Sequence, residues 1–141
     1  MIKKILIMGL PGAGKSTLAQ ELQRQVVASG RTIAHFNADE VRAHYNDWDF
    51  SEDGRIRQAF RMRELAASVA EYVQFAICDL ICPTQATRDA VSPDYIVWVD
   101  TVKHTQYADT DAMFVPPTAY DVHVTSQDAE LWAKVIVDML L

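Results

Sequence analysis

"GLPGAGKST", Gly9–Thr17, follows directly on the apolar run "ILIM", Ile5–Met8. Gly9, Gly14, Lys15 and Ser16 complete the spacing G-x-x-x-x-G-K-[ST], and a strand before with a helix after is the setting this phosphate loop requires. The backbone of Gly9, Gly12, Ala13 and Gly14 is expected to wrap N–H groups around phosphates, with the positive end of the helix from Lys15 aimed at the same anion. Lys15 is expected to reach the β- and γ-phosphates. Ser16, next to Thr17, is expected to place its hydroxyl on Mg²⁺. The loop therefore predicts a nucleotide site with Mg²⁺, and does not by itself separate an ATP-using kinase from a GTPase switch or an ATP-driven motor.

Outward from the loop, strands are predicted over Ile2–Met8, Thr32–Phe36, Phe75–Ile81, Tyr95–Val99 and Tyr120–Val124. Helical patterns lie between them: Lys15–Ser29 stopped by Gly30, residues 54–73, and a last helix from Ser126 with Leu131, Val135 and Met139 at four-residue steps. Apolar strands alternating with helices imply a doubly wound, mostly parallel five-stranded α/β sheet covered on both faces. All 141 residues are read as one domain, able to bury roughly two thirds of its unfolded surface. Residues 101–117, "TVKHTQYADTDAMFVPP", show no period and read as a long loop, either functional or a plain connection.

Composition narrows the partners. No segment reaches the roughly 20 apolar residues of a membrane span, and the first apolar run is too short for a signal peptide, so a cytoplasmic protein is expected. Cys78 and Cys82, placed on one strand, stand ~13 Å apart and read as reduced core residues. The net charge is −6, yet residues 1–74 hold ten Lys/Arg against nine Asp/Glu, and residues 75–141 three against ten. Arg42, Arg55, Arg57, Arg61 and Arg63 cluster in 22 residues. That cluster suits a small polyanion better than nucleic acid, or is simply a solvated helix face. No N-K-x-D guanine motif occurs. A small phosphotransferase acting on small-molecule nucleotides is the class left.

The stretch after the second strand, "NADEVRAHYNDWDFSEDGR", residues 37–55, supplies the candidate second site. Asp39, at a strand end facing the crevice, is expected to hold Mg²⁺ through water, to accept a proton from the acceptor hydroxyl, or only to cap the following helix. Arg42, Asn46, Phe50 and Arg55 suit an anionic, ring-bearing ligand. Asp79, in the third strand, is a second acid that could hold Mg²⁺ through water.

These segments resemble adenylylsulfate kinases, which use MgATP to phosphorylate the 3′-hydroxyl of adenosine 5′-phosphosulfate. "GLPGAGKST" looks like their phosphate loop, "NADEVR" like Asp-Gly-Asp-Asn-Val-Arg, and "DFSEDGR" like Gly-Phe-Ser-x-x-Asp-Arg. "ICPTQATRD" looks like Ile-Ser-Pro-Tyr-Arg-x-x-Arg-Asp, and "WVDT" like Val-Asp-Thr. The resemblance implies that Lys15 and Asp39 are catalytic, that Arg42 and Arg55 hold the phosphosulfate, and that Phe50 stacks on the adenine. It puts Gln58 in place of a substrate-binding Asn, Ile81 at an apolar pocket position, and Phe114 at a second aromatic wall. Asn37 and Gly54 depart from the family's acids, one residue is missing before Phe50, and the basic lid helix has no counterpart, leaving Arg88 and Lys103 as the candidate cations. The other readings are a kinase for a nucleoside, a modified base or a nucleic-acid 5′-end, and a nucleotide-binding module without turnover. Trp132 and Ile136 on the last helix could serve either the core or a homodimer contact.

Overall fold

In the central strand β1 (Lys3–Met8), four consecutive side chains are fully buried and alternate between two cores. Ile5 and Ile7 enter one cluster, Leu6 and Met8 the other. Such a strand cannot face water on either side, so helices must cover both faces. The computed structural model describes residues 2–141, and the elements follow in βα order. After β1 come α1 (Lys15–Ala28), β2 (Ile33–Asn37), α2 (Ala38–Tyr45), α3 (Glu52–Ser68) and β3 (Phe75–Asp79). Then follow α4 (Gln85–Val91), β4 (Tyr95–Val99), α5 (Ala108–Met113), β5 (Val122–Val124) and α6 (Ala129–Leu140). The five strands lie in the order β2-β3-β1-β4-β5, and every pairing is parallel.

Helices α1 and α6 pack together on the face of Ile5, Ile7, Ile77 and Val97. On the other face α3 packs against α4 over Leu6, Met8, Ala76 and Cys78. The predicted fold class stands, and all its strands are present, with ends displaced by one or two residues. Register brings Ile7 and Asn37 to either side of Asp79, so the carboxyl ends of β1, β2 and β3 meet at one edge. That edge is where an open parallel sheet holds its ligand.

Four local expectations change. The last helix begins at Ala129, capped by Asp128, and Leu131 and Val135 are exposed; Ala133 and Ile136 are the buried positions. Ile136 belongs wholly to the core, and Trp132 packs against the same cluster while its indole N–H donates to Ser126 Oγ at 2.9 Å. Cys78 is on β3, but Cys82 lies beyond the strand's end; both are free and buried, and burial pushes both thiols up to about 12. The irregular segment contains α5, whose six residues are too few to show a helical period. No helix among the described residues is long and apolar enough to cross a membrane.

Candidate active site

The phosphate loop ends at Gly14, whose φ of 97° forces a left-handed turn into α1 and leaves that helix without a side-chain cap. An uncapped N-terminus offers its free N–H groups and its positive dipole end to an anion. Thr101 Oγ1 donates to Ala13 O at 2.7 Å, tying the loop to the end of β4. Gly9 N donates to Ile81 O at 3.3 Å, which ties it to the end of β3. Lys15 Nζ donates to Leu10 O at 3.1 Å, within its own loop. Burial pulls the Lys15 ammonium below its ordinary value, opposed by the charges of Asp79 and Asp39.

One carboxylate organises the corner beside the phosphate loop. Asp79, almost fully buried, receives Ser16 Oγ–H at 2.8 Å, Asn37 Nδ2–H at 3.2 Å and His35 Nε2–H at 3.0 Å, all on Oδ2. Asn37 Nδ2 also lies 2.9 Å from Ser16 Oγ. Burial alone would raise the Asp79 carboxyl, but the hydrogen bonds from His35 and Ser16, with the charge of Lys15, hold it below the usual range. The other end of the Asn37 amide caps α2, its Oδ1 accepting Glu40 N–H at 3.1 Å. Asn37 is therefore the cap that Asp39 was a candidate for. An aspartate at position 37 would set a second anion beside Asp79, and the amide avoids that repulsion.

A cavity of about 1460 Å³ runs from Gly12, Gly14, Lys15, Ser16 and Thr17 past Asp39 to Arg42, Phe50, Arg55, Gln58 and Ile81. Asp39 is exposed in the first turn of α2, and among the described residues its carboxylate has no hydrogen-bond partner. Two guanidinium groups lie against Phe50, with Arg42 Cζ 4.4 Å and Arg55 Cζ 5.3 Å from its ring centre. Arg42 Nη1 donates to Asp47 O and Asp49 O, each at 3.1 Å. Arg55 donates to Phe50 O at 2.9 Å and to Thr110 Oγ1 at 2.7 Å. Burial lowers both groups from their ordinary values, yet an arginine stays charged throughout the working pH range. Neither has a carboxylate within ion-pair distance among the described residues, and no buried side-chain nitrogen there lacks an acceptor, so their remaining N–H groups open to the cavity.

The other arginines of the cluster take a different part. Arg57 and Arg61 pair with Asp47 at 2.8 and 2.7 Å, Arg57 reaches Asp49 at 3.1 Å, and Arg63 is exposed. Those acids brace the 46–51 loop. Asp49 is held down to about 2 by Ser51 first and then by Arg57. The loop also presses on α3: a Cβ at Gly54 would lie 2.3 Å from Asp49 O. A side chain at 54 would push this loop off the helix.

Several expected site residues stand elsewhere. Asn46 is outside the cavity, in the left-handed turn that ends α2 with φ of 50°. Phe114 packs on the core below Arg88, 5.7 Å from that guanidinium, while Tyr107, Thr110 and Met113 line the wall. Gly9 and Ala13 support the phosphate loop from behind, Ala13 as part of the core. Gln58 lines the cavity, but its amide is taken up by Ala38 O and by Arg61, so it fixes the start of α2. Arg88 is buried and donates to Cys82 O and Val115 O, and Lys103 pairs at the surface with Asp100 at 3.0 Å. Neither cation reaches the cavity, because each is held by a nearer partner. Trp48, Tyr107 and His35 were not foreseen; the first two sit in segments without a period, and nothing in the sequence joins His35 to Asp79.

A family model described as adenylylsulphate kinase matches residues 2–112. The chain belongs to the adenylylsulphate kinase family. It is 36% identical over 86 residues to an adenylyl-sulfate kinase of Emericella nidulans, a stretch covering 60% of this chain and 42% of that protein. To the bifunctional enzyme NodQ of Azospirillum brasilense it is 27% identical over 160 residues, covering 94% of this chain and 26% of that protein. The chain thus spans less than half the length of these curated relatives. Among solved structures, the Mycobacterium tuberculosis APS kinase CysC in complex with AMPPNP and APS superposes with a TM-score of 0.82, covering 99% of this chain and 97% of that one. At 20% identity that likeness is one of fold. The family model ends within α5.

Proposed function

We propose that this adenylylsulphate kinase family member transfers the γ-phosphate of ATP to the 3′-hydroxyl of adenosine 5′-phosphosulfate. The observation that carries the reading is the continuity of the cavity, which joins Lys15 and Ser16 to Asp39 and to the two unpaired guanidinium groups beside Phe50. The named activity of the related kinases supports the same substrates.

The residues fit Mg²⁺. Ser16 and Asp79 offer hard oxygens at one corner, and no group of three or more His, Cys, Asp or Glu among the described residues could cage a metal alone. An ion that keeps its waters and shares phosphate oxygens suits such a corner. Ser16 would hold it directly, with Asp79 and Asp39 acting through water. When bound, it neutralises charge on the β- and γ-phosphates.

Lys15 exchanges Leu10 O for phosphate oxygens and stabilises the charge of the transferring group. The acceptor oxygen attacks the γ-phosphorus, the bond to the β–γ bridging oxygen breaks, ADP leaves, and the hydroxyl proton passes to Asp39. Arg42 and Arg55 hold the acceptor's anionic end, Phe50 supports its ring, and α5 limits the entry of water.

Radiolabelled ATP with a panel of acceptors tests this directly. Label should pass to adenosine 5′-phosphosulfate and not to nucleosides or 5′-hydroxyl oligonucleotides. Transfer only to another acceptor would overturn the substrate. Nucleotide binding with no transfer at all would leave a binding module.

A further inference from the structure

We propose that His35 is a positioning residue for the metal-facing acid, an inference that rests on the phosphate-site reading above. Three donors converge on Asp79, and all three choose Oδ2: Ser16 at 2.8 Å, His35 at 3.0 Å and Asn37 at 3.2 Å. Oδ1 receives none. Because no buried side-chain oxygen among the described residues lacks a partner, Oδ1 is open, and Asp79 lines the cavity. The carboxylate is thus pinned by one oxygen and presents the other.

His35 does not line the cavity, so it acts through Asp79. It lies on the edge strand β2, two residues before Asn37, and alternation places both side chains on the same face of the sheet. Its partner in register is Ile77, two residues before Asp79. This offset lets the imidazole and the Asn37 amide both reach Oδ2. An ionised carboxylate can only accept, so Nε2 carries the proton. The pair of His35 and Asn37 replaces one acid with two N–H donors. Ser16 is the group that gains most: its hydroxyl now donates to Asp79, and if it held Mg²⁺ instead, His35 and Asn37 would keep Oδ2 occupied and leave Oδ1 free for an ion-bound water.

Removing a partner that orients a metal-facing group typically costs 10–100-fold in metal affinity. His35→Phe should therefore weaken Mn²⁺-dependent binding of a non-hydrolysable ATP analogue about 10-fold, read by Mn²⁺ electron paramagnetic resonance and calorimetry. Binding of the same analogue in EDTA should not change. His35→Gln, which keeps an N–H donor, should recover most of the loss. Equal metal affinity in wild type and His35→Phe would overturn the proposal, as would a loss in EDTA as large as that with Mn²⁺. If His35→Phe does not fold, the wild-type protein decides. Long-range ¹H–¹⁵N spectra should show protonated Nε2 with a downfield proton that moves in Asp79→Asn; protonation at Nδ1 alone would overturn it. Wild-type protein that binds no analogue with or without metal would remove the phosphate site itself, and this inference with it.

Discussion

Lys15 and Ser16 stand on the first turn of a 14-residue helix that follows straight from the central strand, whereas Arg42 and Arg55 come from two helices joined by the 46–51 loop. The first pair is placed by backbone: a left-handed Gly14, a strand end and a helix start. The second pair is placed by side chains holding one another, with Phe50 against two guanidinium groups and the loop braced by Asp47 and Asp49. A site placed by backbone tolerates little variation in residue type or spacing. One placed by side chains depends on each contact in turn, as the close approach of Asp49 to Gly54 illustrates.

The comparison predicts different kinetic signatures for the two halves. Asp39 lies between them, so Asp39→Asn should show the largest effect, a fall in kcat of about 10²–10⁴-fold with the KM for ATP little changed. Steady-state kinetics with both substrates varied will check this, and an unaltered kcat would move the proton to another group. Lys15→Ala should lower kcat by about 10²–10³-fold and also weaken ATP, because its ammonium serves ground state and transition state alike. A defect confined to the acceptor would break the division between the halves.

On the acceptor side, Arg42→Ala and Arg55→Ala should each raise the acceptor KM about 10–100-fold, as expected for a lost charge-assisted hydrogen bond of roughly 1.5–3 kcal/mol. ATP affinity, measured by calorimetry without acceptor, should stay within about two-fold. Lysine should rescue poorly, since it lacks the planar fork that reaches two protein oxygens and an anion at once. Equal losses for both substrates would assign the pair to holding Phe50 and the loop alone.

How much of this was legible follows the same line. The βα alternation and the phosphate loop could be read because strand burial and the G-K-S turn each impose a fixed spacing. Asp79 could be suspected from its place at the end of a buried strand. Its partner His35 could not, since that contact depends on the register of β2 against β3, which local pattern does not encode. Asn46 and Phe114 were placed in the site by residue type and resemblance; the turn that ends α2 and the packing under Arg88 claim them instead. Arg88 and Lys103 were chosen as cations near the phosphates, yet a buried arginine satisfied by two carbonyls and a surface lysine facing Asp100 are spoken for.

The smallest predicted effect concerns α5, which covers the cavity without a basic residue of its own and carries Asp109 and Asp111. Its anchor to the acceptor half is the buried bond from Arg55 to Thr110 Oγ1 at 2.7 Å. Thr110→Val keeps the shape and removes the acceptor oxygen of that bond, so the helix should open more often without the fold being lost. Losing one such charge-assisted bond, worth about 1.5–3 kcal/mol, shifts an opening equilibrium by roughly 10–150-fold. Only part of that shift reaches the chemistry, because an open site must still align water with the γ-phosphate. ATP hydrolysis without acceptor should therefore rise a few-fold, as measured by phosphate release, while transfer to saturating acceptor changes less. Replacing residues 103–113 by a short Gly/Ser loop should raise the leak further. If Thr110→Val and the replacement both leave hydrolysis and transfer as they were, α5 is a connection between β4 and β5, and the acceptor half closes by other means.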